Sequence, residues 1–259
     1  MKKNDLLQRR AGGVLTVLAA VYVAASTLTP AIWIYVEAAA SDPRPIGFGQ
    51  DPAVLINLAV NSLKSSVLPA SISITVAAVC SITSAFSRGF LGFYRIFVNI
   101  MLFTNPVFLV LGLSVLLSQQ QPYIGVTLAT AFVLFPIVAL PLQAAIQHVD
   151  SGEILSARTL GSRPAALIFH HYLPALIFPG LAALVLGSAY ALGFYLLPAF
   201  VGYGQIPTLA TSVYVALNGL GDAAAAAQLA LLILLVDLAL IAAVAATGAA
   251  IWRSRGRTM

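Results

Sequence analysis

Long uncharged runs organise this chain. Charged residues are so widely spaced that the gaps between them stand out: residues 11–36 lie between Arg10 and Glu37, and 65–87 between Lys64 and Arg88. The run from 96 to 149 follows Arg95, the run from 164 to 221 follows Arg163, and 223–252 is interrupted only by Asp237. A helix that crosses a bilayer needs about 20 apolar residues. The third run is long enough for two such helices, with Ser118-Gln119-Gln120-Gln121-Pro122 as a turn between them. The fourth holds one helix and then a Gly/Pro-punctuated loop at 202–207. The pattern predicts six transmembrane helices, at 12–36, 62–86, 96–117, 123–146, 175–198 and 224–252, forming a single domain over 1–259. The longest polar connection is 147–174.

Composition supports an all-α integral membrane protein. Only 8% of residues are charged and 60% are hydrophobic, whereas a soluble domain carries about 25% charge. This excludes a soluble globule and a disordered chain. A net charge of +5 would suggest a nucleic-acid partner in a soluble protein, but here 11 of the 13 Lys and Arg fall in alternate connections. They are Lys2, Lys3, Arg9 and Arg10; Arg88 and Arg95; Arg158 and Arg163; and Arg253, Arg255 and Arg257, leaving Arg44 and Lys64 for the other face. The positive-inside rule therefore predicts cytoplasmic N- and C-termini. Trp33, Tyr35, Tyr123, Tyr203 and Tyr214 fall at outer ends of spans and Tyr94, Tyr172 and Trp252 at inner ends, where rings with a polar tip favour the headgroup layer. The first apolar run is preceded by basic residues and followed by Ala38-Ala39-Ala40, as in a secretory signal. It exceeds the about 7–15 residues of a signal core, so an uncleaved helix is expected. Cys80 has no second cysteine to pair with and reads as a small buried hydrophobe.

The segment 147–174 carries the most local punctuation. Asp150 and Glu153 have capping-box spacing. Ile154, Leu155, Ala157 and Leu160 then form an apolar strip on a short helix. Gly161 is placed to end that helix in the left-handed conformation, and Ser162 with Pro164 can start another that leads past Pro174 into the next span. So short a helix is marginal in water and must pack on something: its own bundle, or a cytoplasmic partner.

Ala157-Arg158-Thr159-Leu160-Gly161, then Phe169, Leu173-Pro174 and Pro179-Gly180, resemble the signature of the inner-membrane permease subunits of binding-protein-dependent ABC importers. The Gly and Leu-Pro spacings fit; Leu155-Ser156-Ala157 stands where that family usually has Glu-Ala-Ala. Asn61-Ser62, Pro106, Pro136 and the six-span topology extend the resemblance over most of the chain. Leu197-Pro198-Ala199-Phe200-Val201-Gly202 and the run from Thr208 to Tyr214 resemble its spermidine/putrescine branch, whose relatives move ferric iron, thiamine, sulfate or aminoalkyl phosphonates.

The resemblance implies a type I importer fold in a bacterial inner membrane. It implies a coupling helix, with Glu153, Leu155, Ser156, Ala157, Arg158, Thr159, Leu160, Gly161 and Ser162 seated on a cytoplasmic ATPase dimer. It also implies a second permease, non-identical given the altered triplet, and a periplasmic substrate-binding protein that delivers a small solute, a polyamine-like cation first. ATP and Mg would be bound by the ATPase, and this chain would carry no cofactor and no enzymatic activity.

The residues agree with that division of labour. No Gly-x-x-x-x-Gly-Lys-[Ser/Thr] phosphate loop and no Gly-x-Ser-x-Gly occurs. His148, His170 and His171 lack ligand spacing for a metal. A self-contained secondary carrier is the competing class, but such carriers often show repeated halves, and no repeat relates the two halves here. Polar residues at membrane depth are the candidates for a substrate pathway: Asn61, Ser65, Asn105, Tyr190, Tyr195 and Asp237. A mid-span acid costs about 2.5–3.5 kcal/mol to insert, so Asp237 either faces a cavity or is neutral and bonded to a neighbouring helix. Each of the others can equally serve an ordinary interhelical hydrogen bond.

Overall fold

The computed structural model describes residues 52–117 and 121–255. The expected first span at 12–36, the N-terminal basic cluster and Arg257 lie outside the described residues. Among the described residues every regular element is helical: α1 (Pro52–Phe86), α2 (Arg88–Phe103), α3 (Pro106–Leu116), α4 (Pro122–Gln147) and α5 (Ser151–Thr159). There follow α6 (Pro164–Gly193), α7 (Leu196–Phe200), α8 (Leu209–Tyr214) and α9 (Ala223–Arg255). α1, α4, α6 and α9 are each long and apolar enough to cross a membrane.

The stretch expected as one span at 96–117 is two helices, α2 and α3, bent by 101°. The cause is Asn105-Pro106. Pro106 has no N–H to continue the ladder of α2, and Asn105 caps α3 by accepting from the Val107 N–H at 2.9 Å. The stretch expected at 175–198 also differs. α6 begins at Pro164 and stops at Gly193, and Phe194 turns into extended backbone (φ −92°, ψ 96°) before α7 starts. Near its start α6 relaxes into a π turn over Ile168–Tyr172, where the Leu173 N–H donates to the Ile168 carbonyl. Pro174 supplies no donor on the next residue, and the wider turn shifts the ladder around that gap.

α4 is the axis of the bundle: 61% of its most apolar window is buried, against 6% for α9. It packs on both α1 and α6. The helices come close because small residues face one another. A Cβ on Gly187 of α6 would stand 3.1 Å from Val138 and 3.5 Å from Ala70, and α1 buries Ser62, Ser66, Ala70, Ser73, Ala77, Ser81 and Ser84 along one stripe. One apolar cluster joins α2, α4 and the start of α6 through Val98, Phe135, Leu142 and Leu176. A second, at the other end, joins α3, α4 and the stretch around α7 through Val110, Val133, Leu197 and Ile206. A third seats the first turns of α9 on α1 and α8 through Leu58, Leu209 and Leu229.

Two of the rings expected in the headgroup layer lie in the core. Tyr94 and Tyr172 are buried, and the Tyr94 hydroxyl finds partners inside, at Ser81 Oγ (3.2 Å) and the Ala77 carbonyl (3.5 Å). Tyr123, Tyr203, Tyr214 and Trp252 are exposed. α9 has alanine-rich stretches at 223–227 and 242–250; the first buries Ala225, Ala226 and Ala227, while the second is mostly exposed, with Gly248 facing Leu181.

Candidate functional site

α5 forms a foot at one end of the bundle. Asp150 caps it by accepting from the Gly152 N–H at 2.8 Å. The expected capping box is not formed: Asp150 accepts from Gly152 and not from the Glu153 N–H, and the Glu153 carboxylate lies 3.7 Å from Nδ1 of His171 in the π turn. The far end is a complete Schellman motif. Gly161 has φ +80°, its N–H donates to the Arg158 carbonyl (3.0 Å), and the Ser162 N–H reaches back to Ala157 (3.0 Å). Left-handed backbone is cheap only for glycine. Arg163, not Ser162 as expected, holds the N-cap position of the next helix without a side-chain bond, and Pro164 takes its first position.

The foot has two faces. Ile154 and Ala157 pack against the apolar cluster beneath it. The Arg158 guanidinium sits 5.5 Å above the Phe86 ring, and Phe86 meets Tyr172 edge-on at 5.5 Å. These contacts tie α5 to the end of α1 and to the π turn of α6 at once. Away from the bundle, Leu155 is 65% exposed and Leu160 86%. Ser156 and Thr159 point their hydroxyls back at the carbonyls of Gly152 and Ser156. Arg158, Thr159, Gly161 and Ser162 are exposed as well. The helix thus rests on its own bundle through one face and leaves the opposite face uncovered. Of its seat, Tyr172 was expected only as a headgroup-layer ring and Phe86 was not singled out by sequence reasoning; an aromatic at the very end of a span facing a basic loop is the signal that could have found Phe86.

Beside the foot, His148, Asp150, Glu153, His170 and His171 line an open recess of about 420 Å³. Among the described residues no group of three His, Cys, Asp or Glu is placed to hold a metal ion.

The pathway candidates do not form one group. Asn61 and Ser65 lie near the opposite end, on successive turns of α1. Asn61 donates to the Pro207 carbonyl (3.5 Å) and accepts from the Tyr123 hydroxyl (3.4 Å), so it pins the 201–208 loop. Ser65 donates to the Asn61 carbonyl at 2.8 Å and faces a small polar chamber with Ser62, Thr130 and Thr208. Asn105 is spent on the α3 cap. Tyr190 tilts against Phe194 (5.6 Å), and Tyr195 stacks on Tyr214 (4.6 Å) beside the break after α6. Asp237 is half-buried on α9, and its Oδ1 has no hydrogen-bond partner among the described residues. Sequence reasoning passed over Ser62 as a functional group; its neighbour Asn61 and the serine stripe of α1 were the visible signal.

Residues 73–251 match the family described as binding-protein-dependent transport system inner membrane component. Over 87 residues the chain is 36% identical to the inner membrane ABC transporter permease protein YnjC of Escherichia coli (strain K12). That stretch is 34% of this chain and 17% of the relative.

Proposed function

We propose, starting from the fact that this chain belongs to the family of binding-protein-dependent transport system inner membrane components, that it is the permease subunit of an ABC importer and forms half of a translocation pathway. α5 is the coupling helix. An ATPase dimer binds it from the cytoplasm, a second and non-identical permease completes the pathway, and a periplasmic binding protein delivers the solute. Six spans, with both termini cytoplasmic, give the type I architecture. ATP and Mg belong to the ATPase, and this chain is not an enzyme.

One observation carries this reading: a short helix, locked at both ends by Asp150 and Gly161, anchors one face on the bundle and leaves Leu155 and Leu160 uncovered on the other. In water, exposed leucines beside a sharply stopped helix are what a protein partner covers. A rigid seat on α1 and α6 is what passes its movement to the spans. Alternating access then follows as rocking of helices driven from outside this chain.

The test is co-purification of the tagged chain from its own cells. An ATPase and a second permease are expected to come with it, and Leu155→Asp with Leu160→Asp should release the ATPase while keeping the permease. Transport by the purified chain alone would favour the secondary carrier and overturn the proposal. For the substrate we propose a polyamine-like cation, on the likeness of 197–202 and 208–214 to that branch. Uptake assays with spermidine, ferric iron, thiamine, sulfate and an aminoalkyl phosphonate separate the alternatives.

A further inference from the structure

A small chamber lies where α6 breaks, and its lining has an unusual hydrogen-bonding balance. It has room for about 10 Å³, and Ser62, Ser65, Thr130 and Thr208 contribute four hydroxyls from α1, α4 and the cap of α8; Phe194 and Pro198 close it beside the break. Ser62, Thr130 and Thr208 are 2%, 4% and 4% exposed.

Three of the four hydroxyl protons are already committed. Ser65 donates to the Asn61 carbonyl (2.8 Å) and Thr130 to the Val126 carbonyl (2.7 Å). Thr211 donates to the Thr208 carbonyl (2.9 Å), so the 3.2 Å contact between the two threonine hydroxyls uses the Thr208 proton. These oxygens therefore have only lone pairs left to offer. Ser62 is the reverse: its oxygen accepts from the buried Leu209 N–H at 2.8 Å, and its own proton remains to be given. The chamber presents acceptors from Ser65, Thr130 and Thr208 and one donor from Ser62.

We propose that this chamber is the site of one ordered water, which accepts from Ser62 and donates to the two buried threonines, Thr130 and Thr208. The volume fits a single water, and such a site needs two to four polar partners. A cation of the same size is disfavoured because no ionisable group lines the chamber, and an unpaired charge there would forfeit its hydration. An apolar occupant would strand the lone pairs. The water joins α1, α4 and the 194–208 segment where the main chain of α6 is interrupted, so the joint is held by an exchangeable contact instead of a continuous helix.

The test is a structure of the full chain in a lipid nanodisc at a resolution that shows ordered water, for wild type, Thr130→Ser and Thr130→Val. A peak within hydrogen-bond distance of Ser62, Thr130 and Thr208 is expected in the first two and absent in the third. Bonds from a threonine to its own helix add little stability, so the Thr130→Val variant should melt lower by about 3 °C through loss of the bridge, and Thr130→Ser should restore the wild-type Tm. A dry chamber in the wild type, or a peak replaced by rubidium on soaking, overturns the proposal. Should Thr130→Val not fold, the wild-type density decides it: a peak touching Ser62, Thr130 and Thr208 supports the proposal, and any other arrangement overturns it.

Discussion

The two ends of α6 are interrupted by different means. Before Pro164 the chain stops and restarts through local chemistry: a glycine with φ +80°, a reciprocal pair of backbone bonds and a proline at the first helical position. After Gly193 it stops with neither a glycine in left-handed backbone nor a proline at the break. There the interruption is held by distant residues. Leu197 and Ile206 are buried against α3 and α4, Ser62 takes the Leu209 N–H, and Asn61 takes the Pro207 carbonyl. The first end is exposed and tied down through one face of one helix; the second is packed against α1, α3 and α4 together. Changes at the packed end should therefore cost stability, and changes at the exposed foot should cost communication while the fold survives.

The largest effect is expected at the packed end. Gly202 has no room for a side chain: a Cβ would stand 2.5 Å from the Pro198 carbonyl oxygen and 3.0 Å from Val126. Backbone has to move, so Gly202→Ala should cost about 3 kcal/mol and lower the Tm by about 8 °C. A variant as stable as wild type would show that this end yields more easily than its packing implies. Ser62→Ala comes next. It leaves the Leu209 N–H, on a fully buried residue, without its acceptor, at a cost of about 2 kcal/mol, read as a shift in denaturation midpoint.

At the foot, Gly161→Leu sharpens the contrast. A Cβ at Gly161 meets nothing within 4 Å, so the penalty is conformational alone, about 1 kcal/mol. The chain should fold and assemble, yet the end of α5 is displaced. Uptake is expected to fall at least tenfold while the ATPase continues to turn over. Retained coupling would mean that the Schellman end is not what positions the foot.

The same contrast explains what the sequence could reveal. Asp150, Gly161 and Pro164 act through neighbours one to five residues away, so the foot was legible residue by residue; only the choice of cap for α6 and the partner of Glu153 went elsewhere. Asn105 and Pro106 were noted within the third span as a pathway candidate and a family likeness, but not as a 101° bend, because the angle depends on what α3 packs against. The break at Phe194 was read as continuous helix, since its apolar residues suit a span equally well and the ties that hold it come from α1, more than 130 residues earlier. Tyr94 looked interfacial because a phenol prefers one wet end; Ser81 and the Ala77 carbonyl supply that polar end within the bundle.

Asp237 is the smallest expected change in stability and the most informative for transport. It belongs to neither end: it sits midway along the most exposed of the long helices, with one carboxylate oxygen buried and unbonded among the described residues. Among the described residues no hydroxyl or backbone N–H donates to that oxygen. Asp237→Asn keeps the shape and removes the acid. With no described bond to break, stability should stay within about 0.5 kcal/mol of wild type. A carboxyl held at membrane depth without such a tie costs insertion energy that some other contact must offset, and an acid facing the partner permease or the solute fits that need. Uptake in the assembled transporter should therefore fall several-fold at unchanged Tm, whereas uptake at the wild-type rate would remove Asp237 from the mechanism and leave the foot and the α6 break as the parts that matter.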